Sequence, residues 1–196
     1  MAGTAVGLVL SWLGFEAAAR SRPLIPVRAP LERLKLGGFA GAAGVALGLV
    51  LLGLLAILAR FEPAVRARFV GRLDEPAWRP WVLGLESSIL EEVVFRLFLL
   101  SGVAWLVGRL LGRSQSNRPF MVGLVLSTAA FGLAHLPAWA AATSVHWPMI
   151  VVVLALNGLG GVLFGWIFWR WGLGYAIVCH FTADVVVQAL GPRVLS

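Results

Sequence analysis

The sequence predicts an all-α membrane protein, a polytopic bundle of about six transmembrane helices. Three observations predict it. Hydrophobic residues make up 60% of the 196 and charged residues only 13%, with a mean hydropathy of +0.90, and a soluble domain of that composition would expose very large apolar patches. The apolar residues gather in runs of about 20, the length a helix needs to cross hydrocarbon. Prolines and arginines collect between the runs, where connections are expected.

The first run, Thr4 to Ala19, is short and carries Glu16. A cleaved signal peptide competes with a retained span here, with Ala17-Ala18-Ala19 as its cleavage region, but no Lys or Arg precedes the run and retention is expected. Leu36 to Ala59 is the second span. The third, Trp81 to Leu111, is too long to lie wholly in hydrocarbon, so it starts as an interfacial helix around Trp78 and Trp81 or lies tilted. Pro119 opens the fourth, Phe120 to Thr143, and Pro137 inside it should kink the helix and free a backbone carbonyl. Pro148 opens the fifth, Trp147 to Trp169, and the sixth is Leu173 to Leu190. Small residues four apart, Gly37 with Gly41, Gly44 with Gly48 and Gly161 with Gly165, allow close helix approach in lipid. Residues 1–80 hold the N-terminal spans and Arg-rich loops and residues 81–196 a four-helix core, within one structural domain.

The net charge of +7 resides in the connections. Arg20, Arg22, Arg28, Arg33 and Lys35 crowd the first, Arg60, Arg66, Arg68, Arg72 and Arg79 the second, and Arg109, Arg113 and Arg118 flank the third. Pro23, Pro26 and Pro30 mark the first loop and Pro63, Pro76 and Pro80 the second. Lipid headgroups account for such arginines, so the lipid bilayer is the expected partner and nucleic acid is not. Their distribution favours a cytoplasmic first loop and an external amino terminus. The single Cys179 excludes an internal disulfide or a multi-Cys metal site and reads as a small apolar filler.

Three patterns break the apolar spans: Glu91-Glu92-x-x-x-Arg96, Phe131-x-x-x-His135 and His180-x-x-x-Asp184. One charged side chain at the bilayer centre costs about 2.5–3.5 kcal/mol, and six unpaired groups would approach the stability of a whole domain, about 5–15 kcal/mol. They are therefore expected to satisfy one another in a shared site. Glu92 and Arg96 have the spacing and order of a helical ion pair, a structural brace. Glu91 points about 100° away and has no cation three or four residues on, so in a water-poor interior it is the candidate general base. Phe131 shares a face with His135. Asp184 shares one with His180, whose tautomer it can fix or whose positive charge it can neutralise.

Two chemistries fit these residues. Glu91 can activate a water that His135 helps to hold, with His180 stabilising the developing oxyanion. Alternatively, His135, His180 and Glu91 can supply the three-ligand open coordination of a catalytic zinc ion. Residue identity leaves both open, and no other cofactor is indicated. Asn157 in the fifth span reads as an interhelical hydrogen-bonder, Glu86 and His146 as solvated or interfacial. Ser87, Ser88, Ser127 and Thr128 can support the site or bond their own helix backbones.

The segments Glu91-Glu92-Val93-Val94-Phe95-Arg96, Phe131-Gly132-Leu133-Ala134-His135 and His180-Phe181-Thr182-Ala183-Asp184 resemble, in this order, the motifs of the CPBP family of intramembrane proteases. That group contains the CAAX prenyl endopeptidases and bacterial immunity-associated Abi proteins. The resemblance runs from about Glu86 through Gln188. It implies peptide-bond hydrolysis in the membrane, with Glu91 and His135 activating water and His180 with Asp184 supporting the transition state. It also implies a membrane-protein or lipidated-peptide substrate and a multi-pass location in a bacterial or archaeal cell membrane. The family has been regarded both as metalloproteases and as glutamate-dependent proteases. Asp184 stands where prenyl-processing relatives carry Asn; an ionised Asp only accepts hydrogen bonds, so orientation of His180 is its expected role. Two other classes compete: a non-catalytic, immunity-type interaction protein that uses the cluster for packing, and a transporter or proton relay, which the lack of an evident inverted repeat disfavours.

Overall fold

The computed structural model describes residues 2–21, 29–111, 117–141 and 146–195. Arg22, Pro23, Pro26 and Arg28 of the first connection, Arg113 of the third and Thr143 at the end of the fourth span lie outside the described residues. The described chain is helical without strands: α1 (Ala2–Ser21), α2 (Pro30–Leu58), α3 (Pro63–Val70), α4 (Arg79–Glu91), a π-helical segment (Glu92–Leu100), α5 (Ser101–Leu110), α6 (Arg118–Ala140), α7 (Trp147–Trp171) and α8 (Leu173–Leu195). Pro30, Pro63, Pro80, Pro119 and Pro148 each stand in the first two positions of a helix, where the missing N–H has no intrahelical partner to lose. Gly172 alone joins α7 to α8; its φ of 109° is open to glycine and strained for other residues.

Among the described residues five helices are long and apolar enough to cross a membrane: α2, the continuous Arg79–Leu110 helix, α6, α7 and α8. The protein is an integral membrane protein. Large apolar side chains such as Leu49, Val125, Leu133 and Val162 lie exposed on the outer faces of these helices, as a lipid surround requires. The first apolar run, expected as the first of six spans, forms the twenty-residue α1, which lies against the π segment and α5. Gly14 sits there so close to the Leu97 backbone that a Cβ would overlap it.

The long third helix differs from expectation in its middle. It runs unbroken, but the nine residues Glu92–Leu100 wind as a π-helix, in which each N–H reaches the carbonyl five residues back. At its end the Ser101 N–H bonds the Arg96 carbonyl, and the Ser101 hydroxyl donates to the same oxygen at 3.3 Å. Nothing in the residue pattern announces this winding. π segments are rare and concentrate at functional sites, and this one begins beside the paired glutamates.

The second connection also differs. It was expected as an Arg-rich loop, yet Val65 and Phe69, four apart on α3, are buried, and Phe69 packs on Gly191 near the end of α8. That spacing draws one face of α3 into the bundle and carries Arg68 and Arg72 with it.

The placement of α8 depends on α2. Gly44 lies against the Cys179 carbonyl and Thr182, and Gly48 against Ala183 and Val186, so small residues let the backbones meet. The Thr182 hydroxyl lies 3.1 Å from the Gly41 carbonyl on α2 and 2.9 Å from the Val178 carbonyl of its own helix. Gly44→Val should therefore force the helices apart and lower stability by at least the 1–3 kcal/mol typical of overpacking. Gly53→Ala, where an added Cβ meets nothing within 4 Å, should be neutral or slightly stabilising. Equal melting temperatures for the two variants in detergent would contradict this packing.

Candidate active site

Glu91 closes the α-helical part of the third helix and Glu92 opens its π part. Glu92 and Arg96 are fully buried, with Arg96 Nε 3.4 Å from Glu92 Oε2. The contact is an ion pair without hydrogen-bond geometry, so other groups must compensate the cation. The guanidinium carbon lies 4.3 Å from the Phe131 ring centroid, 5.5 Å from that of Phe164 and 6.0 Å from that of Phe95. Desolvated cation–π contacts contribute about 2 kcal/mol or more, and rings from three helices supply them here.

The same rings hold the imidazoles. Phe131 meets His135 edge-on at 4.7 Å and His180 at 5.7 Å, and Phe164 stacks on His180 at 4.4 Å with the planes 15° apart. His135 Nδ1 lies 2.8 Å from the Phe131 carbonyl oxygen. A carbonyl only accepts, so Nδ1 carries the proton and a neutral ring presents a lone pair at Nε2. His180 Nδ1 lies 2.9 Å from Glu92 Oε1, so Glu92 braces Arg96 with one oxygen and holds His180 with the other.

Asp184 was expected to orient His180, but its Oδ1 stands 3.7 Å from Nε2. Its Oδ2 instead accepts a 2.7 Å bond from Ser87 on α4. Four-residue spacing reveals partners on one helix only, and the ring of His180 reaches across to the π segment. The difference arises there.

Glu91 has no arginine within ion-pairing distance among the described residues. Its Oε2 lies 3.8 Å from His135 Nε2 and 3.7 Å from His180 Nε2, buried and hydrogen-bonded to neither. Side chains from the third, fourth and sixth predicted spans thus converge on one oxygen. They open on a cavity of about 510 Å³ whose wall includes Glu91, His135, His180, Asp184 and Asn157.

The remaining polar candidates divide by position. Asn157 lines the cavity, but its amide donates to the Val153 carbonyl of its own helix at 2.8 Å, in place of the expected interhelical bond. Glu86 is exposed at the cavity wall, and His146 pairs with Glu62 at 2.9 Å on the surface. Ser88 and Ser127 bond backbone carbonyls of their own helices, while the hydroxyl of half-buried Thr128 lies buried against Gly161 and unbonded. Sequence reasoning missed Phe164, which nothing distinguishes from other apolar residues in a span. It also missed the cavity positions of Arg68 and Arg72, although the buried Val65 and Phe69 on the same short helix carry a signal for them.

Whether these residues grip a metal follows from their spacing. Four tetrahedral ligands at about 2.0–2.1 Å stand roughly 3.3 Å apart, and the two imidazole-to-carboxylate separations are wider than that. Among the described residues no three His, Cys, Asp or Glu side chains are placed to hold a metal ion. The donor types suit zinc; their arrangement here does not.

A partly buried carboxylate between two imidazoles thus lines a cavity inside the helix bundle of an integral membrane protein. A family model described as type II CAAX prenyl endopeptidase Rce1-like matches residues 73–186, more than half of the chain, and the chain belongs to that family. No curated protein and no solved structure matches it.

Proposed function

We propose that the protein is an intramembrane endopeptidase that hydrolyses a peptide bond near the C-terminus of a lipidated, CAAX-type substrate, with Glu91 as general base. The convergence of Glu91 Oε2 with His135 Nε2 and His180 Nε2 on one cavity carries this reading. Separations of 3.7–3.8 Å are too long for direct hydrogen bonds, and the reading requires a substrate water held between these groups. Glu91 and His135 Nε2 accept the two protons of that water and aim its oxygen at the scissile carbonyl. As the C–O bond forms, one proton passes to Glu91 and the carbonyl π pair moves onto oxygen, to which His180 donates from Nε2 when its ring carries a proton on both nitrogens. Collapse of the tetrahedral intermediate breaks the C–N bond, and Glu91 returns its proton to the leaving amine. Glu92 fixes His180 for this task and Arg96 keeps Glu92 in place. A cluster that served only packing would close on itself, whereas this one faces a cavity.

The test uses purified protein in detergent with an S-farnesylated tetrapeptide and its unmodified analogue, in water enriched in ¹⁸O. Cleavage of the lipidated peptide with one ¹⁸O in the new carboxylate is expected. Failure to cleave either peptide overturns the reading.

Asp184 keeps Ser87 as its partner in this scheme and places negative charge near His180 Nε2. Asp184→Asn retains an oxygen that accepts from Ser87, so its activity should stay within about tenfold of the parent, the effect of about one hydrogen bond. Asp184→Leu should lose nearly all activity. Metal analysis belongs beside this assay: an inactive Asn variant that has also lost stoichiometric zinc would replace the glutamate-only scheme with a metal-dependent one.

A further inference from the structure

The cavity has a second polar region that the hydrolytic scheme does not use. Arg68 and Arg72 both line it, together with Glu91 and the two histidines, and both are half-buried. Arg68 is fixed on two sides: its Nη1 donates to the Ala138 carbonyl at 2.8 Å, near the C-terminal end of α6, and its guanidinium carbon lies 4.5 Å from the Trp139 ring centroid. A guanidinium has five N–H donors, and the Ala138 bond engages only one of the two Nη groups. Arg72 follows one turn later, and its side chain has no hydrogen bond or ion pair among the described residues. Neither arginine has a carboxylate within 4 Å among the described residues; Glu86, on the same cavity wall, pairs with neither.

Two like charges one turn apart, partly withdrawn from water and without an acid between them, destabilise each other. Burial and the Arg72 charge push the Arg68 guanidinium below its ordinary value. An anion entering the cavity would relieve both effects, and an arginine fork suits a planar carboxylate. Leu51, Leu55, Val153 and Leu156 also line the cavity, and they offer apolar wall for aliphatic side chains.

We propose that Arg68 and Arg72 form a carboxylate subsite that binds the free C-terminal carboxylate of the substrate peptide within the catalytic cavity. The inference rests on the hydrolytic reading above for where the scissile bond lies. It makes the protein a reader of chain ends: an internal loop or an amidated terminus lacks the group that the arginines bind.

Binding, rather than turnover, separates this proposal from that reading. The full-length Glu91→Gln protein is titrated in detergent with a fluorescent S-farnesylated tetrapeptide in two forms, C-terminal acid and C-terminal amide. The acid should bind about 10- to 100-fold more tightly, as charge-assisted hydrogen bonds allow. Arg72→Gln, which leaves the Ala138 bond intact, should remove most of that preference, and Arg68→Lys should keep part of it because charge remains while the fork is lost. Melting temperatures of both variants report any loss of fold. Equal affinities for acid and amide, or binding of neither, overturns the carboxylate subsite, as does an acid preference that survives Arg72→Gln in a folded protein. Cleavage that persists in Glu91→Gln, with the acid preference intact, would instead overturn the catalytic assignment and leave the subsite standing.

Discussion

Glu91→Gln should lower kcat for peptide hydrolysis by about 10²–10⁴-fold, the usual contribution of a positioned acid–base group, without measurable change in melting temperature. Gln matches Glu in volume but cannot take a proton from water. The fold should tolerate the change because Glu91 braces nothing: its Oε2 has no hydrogen-bond partner, and the nearest imidazole nitrogens stand 3.7 and 3.8 Å away. The new amide can donate to the lone pair at His135 Nε2, so the pocket should keep its shape. Comparable kcat in the two purified proteins would remove Glu91 as the base. A large loss of stability would show that it serves the fold instead.

Arg96→Ala should have the largest effect on stability, about 3–5 kcal/mol, the cost of leaving one member of a buried ion pair alone. The substitution orphans Glu92, which has no solvent exposure, and empties the space between the Phe131 and Phe164 rings. Adding Glu92→Gln should recover part of the loss, because the unpaired charge disappears while the Gln carbonyl can still accept from His180 Nδ1. The double-mutant cycle should therefore show coupling of about 1 kcal/mol or more between the two positions. Strict additivity of the single and double losses, measured by thermal unfolding in detergent, would contradict the pair. The Glu92→Gln single variant should also lose stability, because it leaves the buried Arg96 cation unpaired, and should lower activity, because the protonated His180 of the scheme loses the negative charge beside it.

Much of the site lies in the local pattern of the chain. Glu92 with Arg96, and Phe131 with His135, are four apart, and both pairs meet in the structure because one helical turn brings such residues together. Glu91 stood out because no cation follows it at helical spacing, and the described structure gives it imidazole neighbours instead. What sequence could not supply was every contact between helices. The Glu92 bond to His180, the Ser87 bond to Asp184 and the stacking of Phe164 on His180 link residues 88, 97 and 16 positions apart, and no periodicity encodes such distances. Arg68 and Arg72 show the same limit. Their charges read as headgroup anchors, and only the docking of Val65 and Phe69 against the bundle turns them toward the cavity.

The sequence by itself determined that the chain lives in a membrane, where its long apolar helices lie, though not α3, and which ionisable groups must find partners there. Those conclusions rest on transfer free energies and on a fixed helical repeat, both properties of residues and their near neighbours. Tertiary structure decided who those partners are. Close approach of α2 and α8 at Gly44 and Gly48, together with the π winding of Glu92–Leu100, sets which buried charge faces which ring. In a low-dielectric interior a shift of about 1 Å separates a hydrogen bond from a gap that holds water, so the roles of the acids follow from how the helices pack.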